Sequence, residues 1–144
     1  AYIYSRVRFE EGAPERDRPL AGQSPYLVNA GFFYQYDDKG ISASLLYNRI
    51  GKRIESVGVP MQNQNEDIPD IYEMPRNSLD LTFSKKIGKI VEIKAGIQDM
   101  LNSKVEYKQF VKLTDDKGGK SEREQLIRSY RPGVDINVGV SLRF

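Results

Sequence analysis

Residues 77–98, "NSLDLTFSKKIGKIVEIKAGIQ", decide the fold class. Leu79, Leu81, Phe83 and Ile87 alternate with Ser78, Asp80, Thr82, Ser84 and Lys86. Beyond Gly88 and Lys89, Val91, Ile93, Ala95 and Ile97 alternate with Glu92, Lys94, Gly96 and Gln98. A period of two sends alternate side chains to opposite faces of a strand, whereas a helix needs a period near 3.6. With Gly-Lys as a two-residue turn, the stretch predicts an antiparallel hairpin with one apolar and one polar face.

The same alternation extends outward. Residues 1–9 set Ile3, Val7 and Phe9 against Tyr4, Arg6 and Arg8, and residues 25–36 set Tyr26, Val28, Ala30, Phe32, Tyr34 and Tyr36 against Asn29, Gly31 and Gln35. After the turn "DDKG", residues 41–56 run Ile41, Ala43, Leu45 and Tyr47 against Ser42, Ser44 and Asn48. The last strand, residues 134–144, "VDINVGVSLRF", ends the chain with six apolar residues in strict alternation. Two further strand-like pieces, "VEYKQFVKL" and "REQLIRSY", flank "DDKGG" and predict a hairpin projecting from the main sheet. The expectation is an all-β, antiparallel up-and-down meander of about six strands.

Connections alternate long and short: residues 10–24, 58–75 and 99–133 are extended, while "DDKG" and "GK" are tight. In an up-and-down sheet alternate connections share an end, so the short turns gather at one end and the long loops at the other. Strands of about 10 residues, two-faced and so connected, are what a segment of a transmembrane β-barrel needs. Tyr34, Tyr36 and Phe144 fall at the short-turn end, Tyr26 and Tyr47 toward the other, as interfacial aromatic girdles would. A soluble antiparallel sandwich alternates as well, so parity alone leaves inside and outside undecided.

Composition narrows the function. The 144 residues include neither Cys nor His, which removes thiolate and imidazole chemistry, and a net charge of +2 spread among mixed signs suits no nucleic-acid backbone. No apolar run of about 18 residues is present for a membrane helix. The opening, "AYIYSRVRF", is already strand-like and lacks a Met or a signal segment, so the chain is expected to be the C-terminal piece of a longer one. Glu10/Glu11, Asp37/Asp38 and Asp115/Asp116 sit beside turn glycines and are expected to be solvated, with no catalytic role. "TDDKGGKS", residues 114–121, lacks the first Gly of a phosphate-binding loop and joins strands. Glu66, Asp67, Asp70 and Glu73 in the 58–75 loop match no calcium spacing, so no metal or cofactor is expected.

The terminal strand carries Asn137, then Gly139, then Leu142 and Phe144. That order resembles the C-terminal signal by which outer-membrane barrels are handed to the barrel-assembly machinery, and an exposed strand edge suits such β-augmentation. The stretches "GQSPYLVNAGFFYQ", "SLLYNRIGKRI", "DIYEMPRNSLDLTFSKKIGK" and "GIQDMLN" together resemble the C-terminal barrel segment of TonB-dependent receptors of the Bacteroidetes type. The resemblance implies a parent barrel of about 22 strands with a plug, in the outer membrane of a Gram-negative bacterium. It implies uptake of a bulky nutrient such as a siderophore, haem, cobalamin or glycan, driven through TonB by an N-terminal part outside this chain. Short turns would then face the periplasm. Two alternatives stay open: a non-transporting outer-membrane barrel with a structural or adhesive role, and a soluble β-sandwich binding module.

Site expectations follow from parity. Arg49 and Arg53 share the outward face of Tyr47 near the long-loop end, placed to meet lipopolysaccharide phosphates. Asp80, Glu92, Lys94, Asp135 and Arg143 share the polar face and are expected to form a network in a wet lumen facing the plug.

Overall fold

The computed structural model describes residues 1–8, 18–59, 68–88, 90–114 and 119–142. Nine strands are found among them: β1 (Leu27–Tyr36), β2 (Ile41–Ile50), β3 (Arg53–Ser56), β4 (Ile71–Glu73), β5 (Arg76–Ile87), β6 (Val91–Gln98), β7 (Val105–Thr114), β8 (Lys120–Tyr130) and β9 (Asp135–Leu142). They form two sheets, one in the order β1-β2-β5-β6-β9 and one in the order β3-β4-β7-β8. The expected all-β antiparallel class is therefore present, as two separate sheets, and the described residues form no closed barrel. Each sheet belongs to its own compact unit.

The five-stranded sheet is a plain meander whose register follows the sequence pattern. Leu81, Phe83 and Ile87 face Ile97, Ala95 and Val91, while Thr82, Ser84 and Lys86 face Gly96, Lys94 and Glu92. Across the next ladder Val91, Ile93, Ala95 and Ile97 face Leu142, Val140, Val138 and Ile136, and Glu92, Lys94, Gly96 and Gln98 face Ser141, Gly139, Asn137 and Asp135. One register thus keeps apolar with apolar and polar with polar through three strands, which is what pins a sheet with a period of two. Lys85, opposite Ile93, is the exception, and it lies near the turn end, where its stem can lie along the apolar surface and its ammonium reach water.

The two tight connections behave differently from each other. "DDKG" forms a single turn of 3-10 helix, Asp37–Lys39, closed by Gly40 at φ 59°, whose N–H donates to the Asp37 carbonyl at 2.9 Å. The second connection occupies residues 88–90, because Ile87 pairs with Val91; it is one residue longer than expected, and Gly88 at φ 62° absorbs the turn.

Four expectations are corrected. Residues 1–8 form no strand; they make isolated bridges, Tyr2 to Tyr26 and Val7 to Arg18. Ile3 donates to the Pro25 carbonyl at 2.8 Å, but proline has no N–H to return, and a continuous ladder cannot form there. Residues 41–56 are two strands, because the chain breaks at Gly51 and Lys52. Gly51 is buried, and a Cβ on it would lie 2.7 Å from the Tyr26 ring, so only glycine permits this crossing. The polar loop 58–75 contains β4, a three-residue strand that pairs Tyr72 with both Ile54 and Lys108. The hairpin of β7 and β8 lies in the second sheet with β3 and β4, and is not an outgrowth of the first. The expected six-strand meander is accordingly five strands plus a separate four.

Burial is sparse. Only Ile54 and Val105 are buried apolar side chains among the described residues, and both belong to the four-stranded unit. The apolar face of the five-stranded sheet is open instead: Ile136 is 69 % and Val138 72 % exposed. Covering each such side chain would contribute roughly 1.5–3 kcal/mol.

Candidate functional site

The polar face of the five-stranded sheet holds the densest set of fixed polar contacts in its unit, and they form two groups. Nearer the long excursions, Arg76 at the start of β5 and Asp99 just past β6 form an ion pair with side chains 28 % and 14 % exposed. Asp99 has φ 52°, a left-handed conformation that Asp and Asn tolerate better than other side chains. Its N–H donates to Asp80 Oδ1 at 2.8 Å, the next N–H, of Met100, donates to the Leu79 carbonyl at 2.8 Å, and that of Asn102 donates to the Asp99 carbonyl at 2.8 Å. Asn102, also left-handed at φ 43°, accepts from the Gly133 N–H at 3.1 Å. The buried atoms Arg76 Nε and Asp99 Oδ1 lack partners and belong to the same pair, so a small rotation of the guanidinium would satisfy both in a two-pronged bond. The cluster is therefore an anchor for the turn after β6.

Nearer the tight turns the chemistry changes. Ser42 and Ser84 hydroxyls lie 2.7 Å apart, Ser44 bonds Thr82, and Gln35 Nε2 donates to Asp37 Oδ1 at 2.6 Å. The four hydroxyls and Gln35, with Phe33, Tyr34 and Ala43, line a shallow groove of about 230 Å³. Phe33 and Leu46 break the polar pattern of this face.

Among the expected network residues, Asp80 holds the Asp99 amide. Glu92 is 8 % exposed, with Lys94 Nζ at 3.7 Å. Asp135 pairs with Gln98 in the register, and Arg143 lies outside the described residues. The structure thus adds Arg76, Asp99 and Asn102 to that face. Alternation could not reveal them because it does not extend to a left-handed turn; the one available signal is that the stretches "DIYEMPRNSLDLTFSKKIGK" and "GIQDMLN" both contribute to the cluster.

Of the expected assembly residues, Asn137 lies across Gly96, where a Cβ would come within 2.6 Å of its Oδ1. Gly139 has nothing within 4 Å of a Cβ position, Leu142 is 56 % exposed, and Phe144 is outside the described residues. Arg49 Nη1 donates to Asn77 Oδ1 at 3.2 Å, and the Tyr47 hydroxyl donates to the same oxygen at 2.9 Å. Arg53 belongs to the other unit and binds Glu73 through Nε at 2.8 Å and Nη2 at 2.7 Å.

The four-stranded unit has its own charged rows. Arg53, Glu73, Tyr107 and Arg128 are successive register partners, and the Arg128 guanidinium stacks 4.2 Å from the Tyr107 ring. Lys52 Nζ sits 4.0 Å from the Tyr72 ring centre and 3.8 Å from that of Phe110. Burial there lowers the Lys52 pKa, against the pull of Glu122 and Glu124. Lys108 is pushed the other way by its bonds to Glu124 at 2.6 Å and Glu106 at 3.4 Å. Burial, with Asp70 beside it, raises the Tyr72 hydroxyl.

Asp37 serves the tight turn, Asp70 accepts the Gly58 N–H at 2.7 Å, and Glu73 is held by Arg53. Glu10, Glu11, Glu66, Asp67, Asp115 and Asp116 lie outside the described residues. Among the described residues, no group of three or more acidic side chains could hold a metal ion. Comparison of the chain with known protein families, characterised proteins and solved structures gave no match.

Proposed function

We propose that the chain is the C-terminal wall segment of an outer-membrane β-barrel of the TonB-dependent receptor type, serving energised uptake of a bulky nutrient. The observation that carries the reading is the segregation of faces in the five-stranded meander together with the exposure of its apolar face, from Val28 and Phe32 to Ile136, Val138, Val140 and Leu142. A soluble sandwich must cover such a face with a second layer. In lipid the hydrocarbon itself is the cover. The polar face would then be wet, with the Arg76–Asp99 anchor and the Glu92–Lys94 pair on it. The free edge of β9, carrying Asn137, Gly139 and Leu142, would offer backbone groups to the barrel-assembly machinery and then to the remaining barrel. Arg49, bonded beside Tyr47, remains the residue proposed to meet lipopolysaccharide. Arg53 would do so only while still paired with Glu73.

The chain has no Trp, so single Trp probes report cleanly. Trp at Val138 should be quenched by brominated lipid, and Trp at Gly139 should not. Equal quenching at both, or a folded monodisperse chain without detergent, would return the soluble sandwich. Uptake is tested separately: replacing Leu142 by Asp and deleting Phe144 should abolish outer-membrane insertion and with it nutrient-dependent growth.

A further inference from the structure

Lys85 interrupts the apolar face of the five-stranded sheet, with Ile93 opposite it on β6. On the other side, the Ser42–Ser84 and Ser44–Thr82 bonds and the Lys86 N–H donated to the Gly40 carbonyl at 2.8 Å fix the register of β2 against β5. That register sets Ile41 opposite Lys85. The lysine is thus flanked by isoleucines, and the next strand end on the same face is Tyr36, across the tight turn from Ile41. An ammonium in such a row lays its stem along the apolar surface and carries its charge to the rim.

Lys39 comes to the same rim from the turn. Its Nζ sits 5.7 Å from the centre of the Tyr36 ring, a cation–π contact that holds it beside the face Tyr36 shares with Lys85. Neighbouring strands are about 4.8 Å apart, so the Tyr36 and Lys85 backbones are roughly 10 Å apart, a gap that two lysine side chains can close onto one group. Among the described residues neither lysine forms an ion pair. The acids near this end are placed otherwise: Asp37 accepts from Gln35 and Glu92 has Lys94, both partners on the polar face, and Asp38 is exposed in the turn. Two ammoniums at the margin of exposed apolar rows complement a phosphate joined to hydrocarbon. A choline or ethanolamine headgroup brings its own cation to that phosphate, so a headgroup of net negative charge fits better.

We propose that Lys39, held by Tyr36, and Lys85 together bind the phosphodiester of an anionic glycerophospholipid whose acyl chains lie on the apolar rows beyond them. The inference rests on reading that face as lipid-facing and adds to it a headgroup class and a fixed site.

Reductive dimethylation with isotope-labelled formaldehyde keeps lysine charged and gives each amine its own NMR signal. The full chain in non-ionic detergent micelles is titrated with dihexanoyl phosphatidylglycerol. The signals of Lys39 and Lys85 should shift together and saturate, while that of Lys86, on the other face, stays. Lys39→Gln and Lys85→Gln should each weaken binding about fivefold, as about 1 kcal/mol per lysine implies. Lys85→Arg should retain it, read at Lys39, and Tyr36→Leu should weaken it by releasing Lys39. Dihexanoyl phosphatidylcholine should bind less well. Equal binding of the choline lipid, unchanged affinity in Lys85→Gln, or an equal shift at Lys86 overturns the proposal. So does saturation by inorganic phosphate or by lipid A at the same concentration, which would make the rim a general phosphate site. Quenching of Trp at Val138 by neutral brominated phosphatidylcholine separates the two readings. Quenching without preference for phosphatidylglycerol sinks only the headgroup site, and that preference without quenching sinks only the barrel.

Discussion

Replacing Asp99 with Asn keeps a side chain that tolerates φ 52° and removes only the charge facing Arg76. A fully buried ion pair broken on one side costs about 3–5 kcal/mol, and an exposed one less than about 1. Side chains 28 % and 14 % exposed place this pair between those limits, so a loss of about 2 kcal/mol is expected. Asp99→Ala should lose about 1 kcal/mol more, because alanine pays the left-handed penalty that Asn escapes. Arg76→Met with Asp99→Asn should cost less than the sum of the two changes by about 1–2 kcal/mol, since neither charge is then stranded. Denaturant unfolding in detergent gives the totals, and hydrogen exchange at the Met100 amide, bonded to the Leu79 carbonyl, reports the turn directly. A loss under about 0.5 kcal/mol for Asp99→Asn, with strict additivity in the double variant, would refute the assignment of the pair as the anchor.

Other expectations are more local. Gly58→Ala would place a Cβ 1.9 Å from the Ile68 carbonyl oxygen, so the Gly58 N–H bond to Asp70 should be lost and exchange at residues 58 and 59 should rise by at least tenfold, a shift of about 1.4 kcal/mol. Gly96→Ala should push Asn137 aside and speed exchange along the β6–β9 ladder, whereas Gly139→Ala, with open space around it, should leave that ladder unchanged and reduce only outer-membrane insertion. In competitive acetylation followed against pH, Lys52 should reach half-reaction below 10.5 and Lys108 above it. The signs oppose in stability too. Lys52 favours folding increasingly as pH climbs from its lowered value toward 10.5, and the contribution of Lys108 is present below 10.5 and lost as pH passes its raised value. Coincident titration of the two amines would contradict both environments.

Where side-chain parity and pairing coincide, the sequence was enough: residues 79–97 and 136–142 sort onto two faces by composition, and the register obeys that sorting. It was insufficient where a local feature outweighs alternation. Tyr47 and Arg53 look like positions on one strand until Gly51, crowded by Tyr26 and Ser24, breaks it. Pro25 removes a donor from the first expected ladder. Three-residue β4 is too short to show a period, and it exists through partners at Ile54 and Lys108 that are distant in sequence. For the site, Asp80, Glu92 and Lys94 were legible because strand parity places them. Arg76 and Asp99 were not, because their meeting depends on a left-handed turn 23 residues along the chain. Phe33 was hidden for another reason: a binary pattern counts an aromatic as an apolar-face residue, although strand parity sets it with Gly31 and Gln35 on the other.

The strict pairing of β5, β6 and β9 also limits how this chain can change length. Because Ile87 pairs with Val91 around residues 88–90, deleting or inserting one residue there while the turn keeps its length would slip the register by one and exchange the faces of everything that follows, setting Val91 and Ile93 among the hydroxyls and Glu92 and Lys94 among the apolar rows. Changes of two would leave every side chain on its own face. A one-residue change is therefore harmless only where the turn itself takes it up and leaves Ile87 opposite Val91.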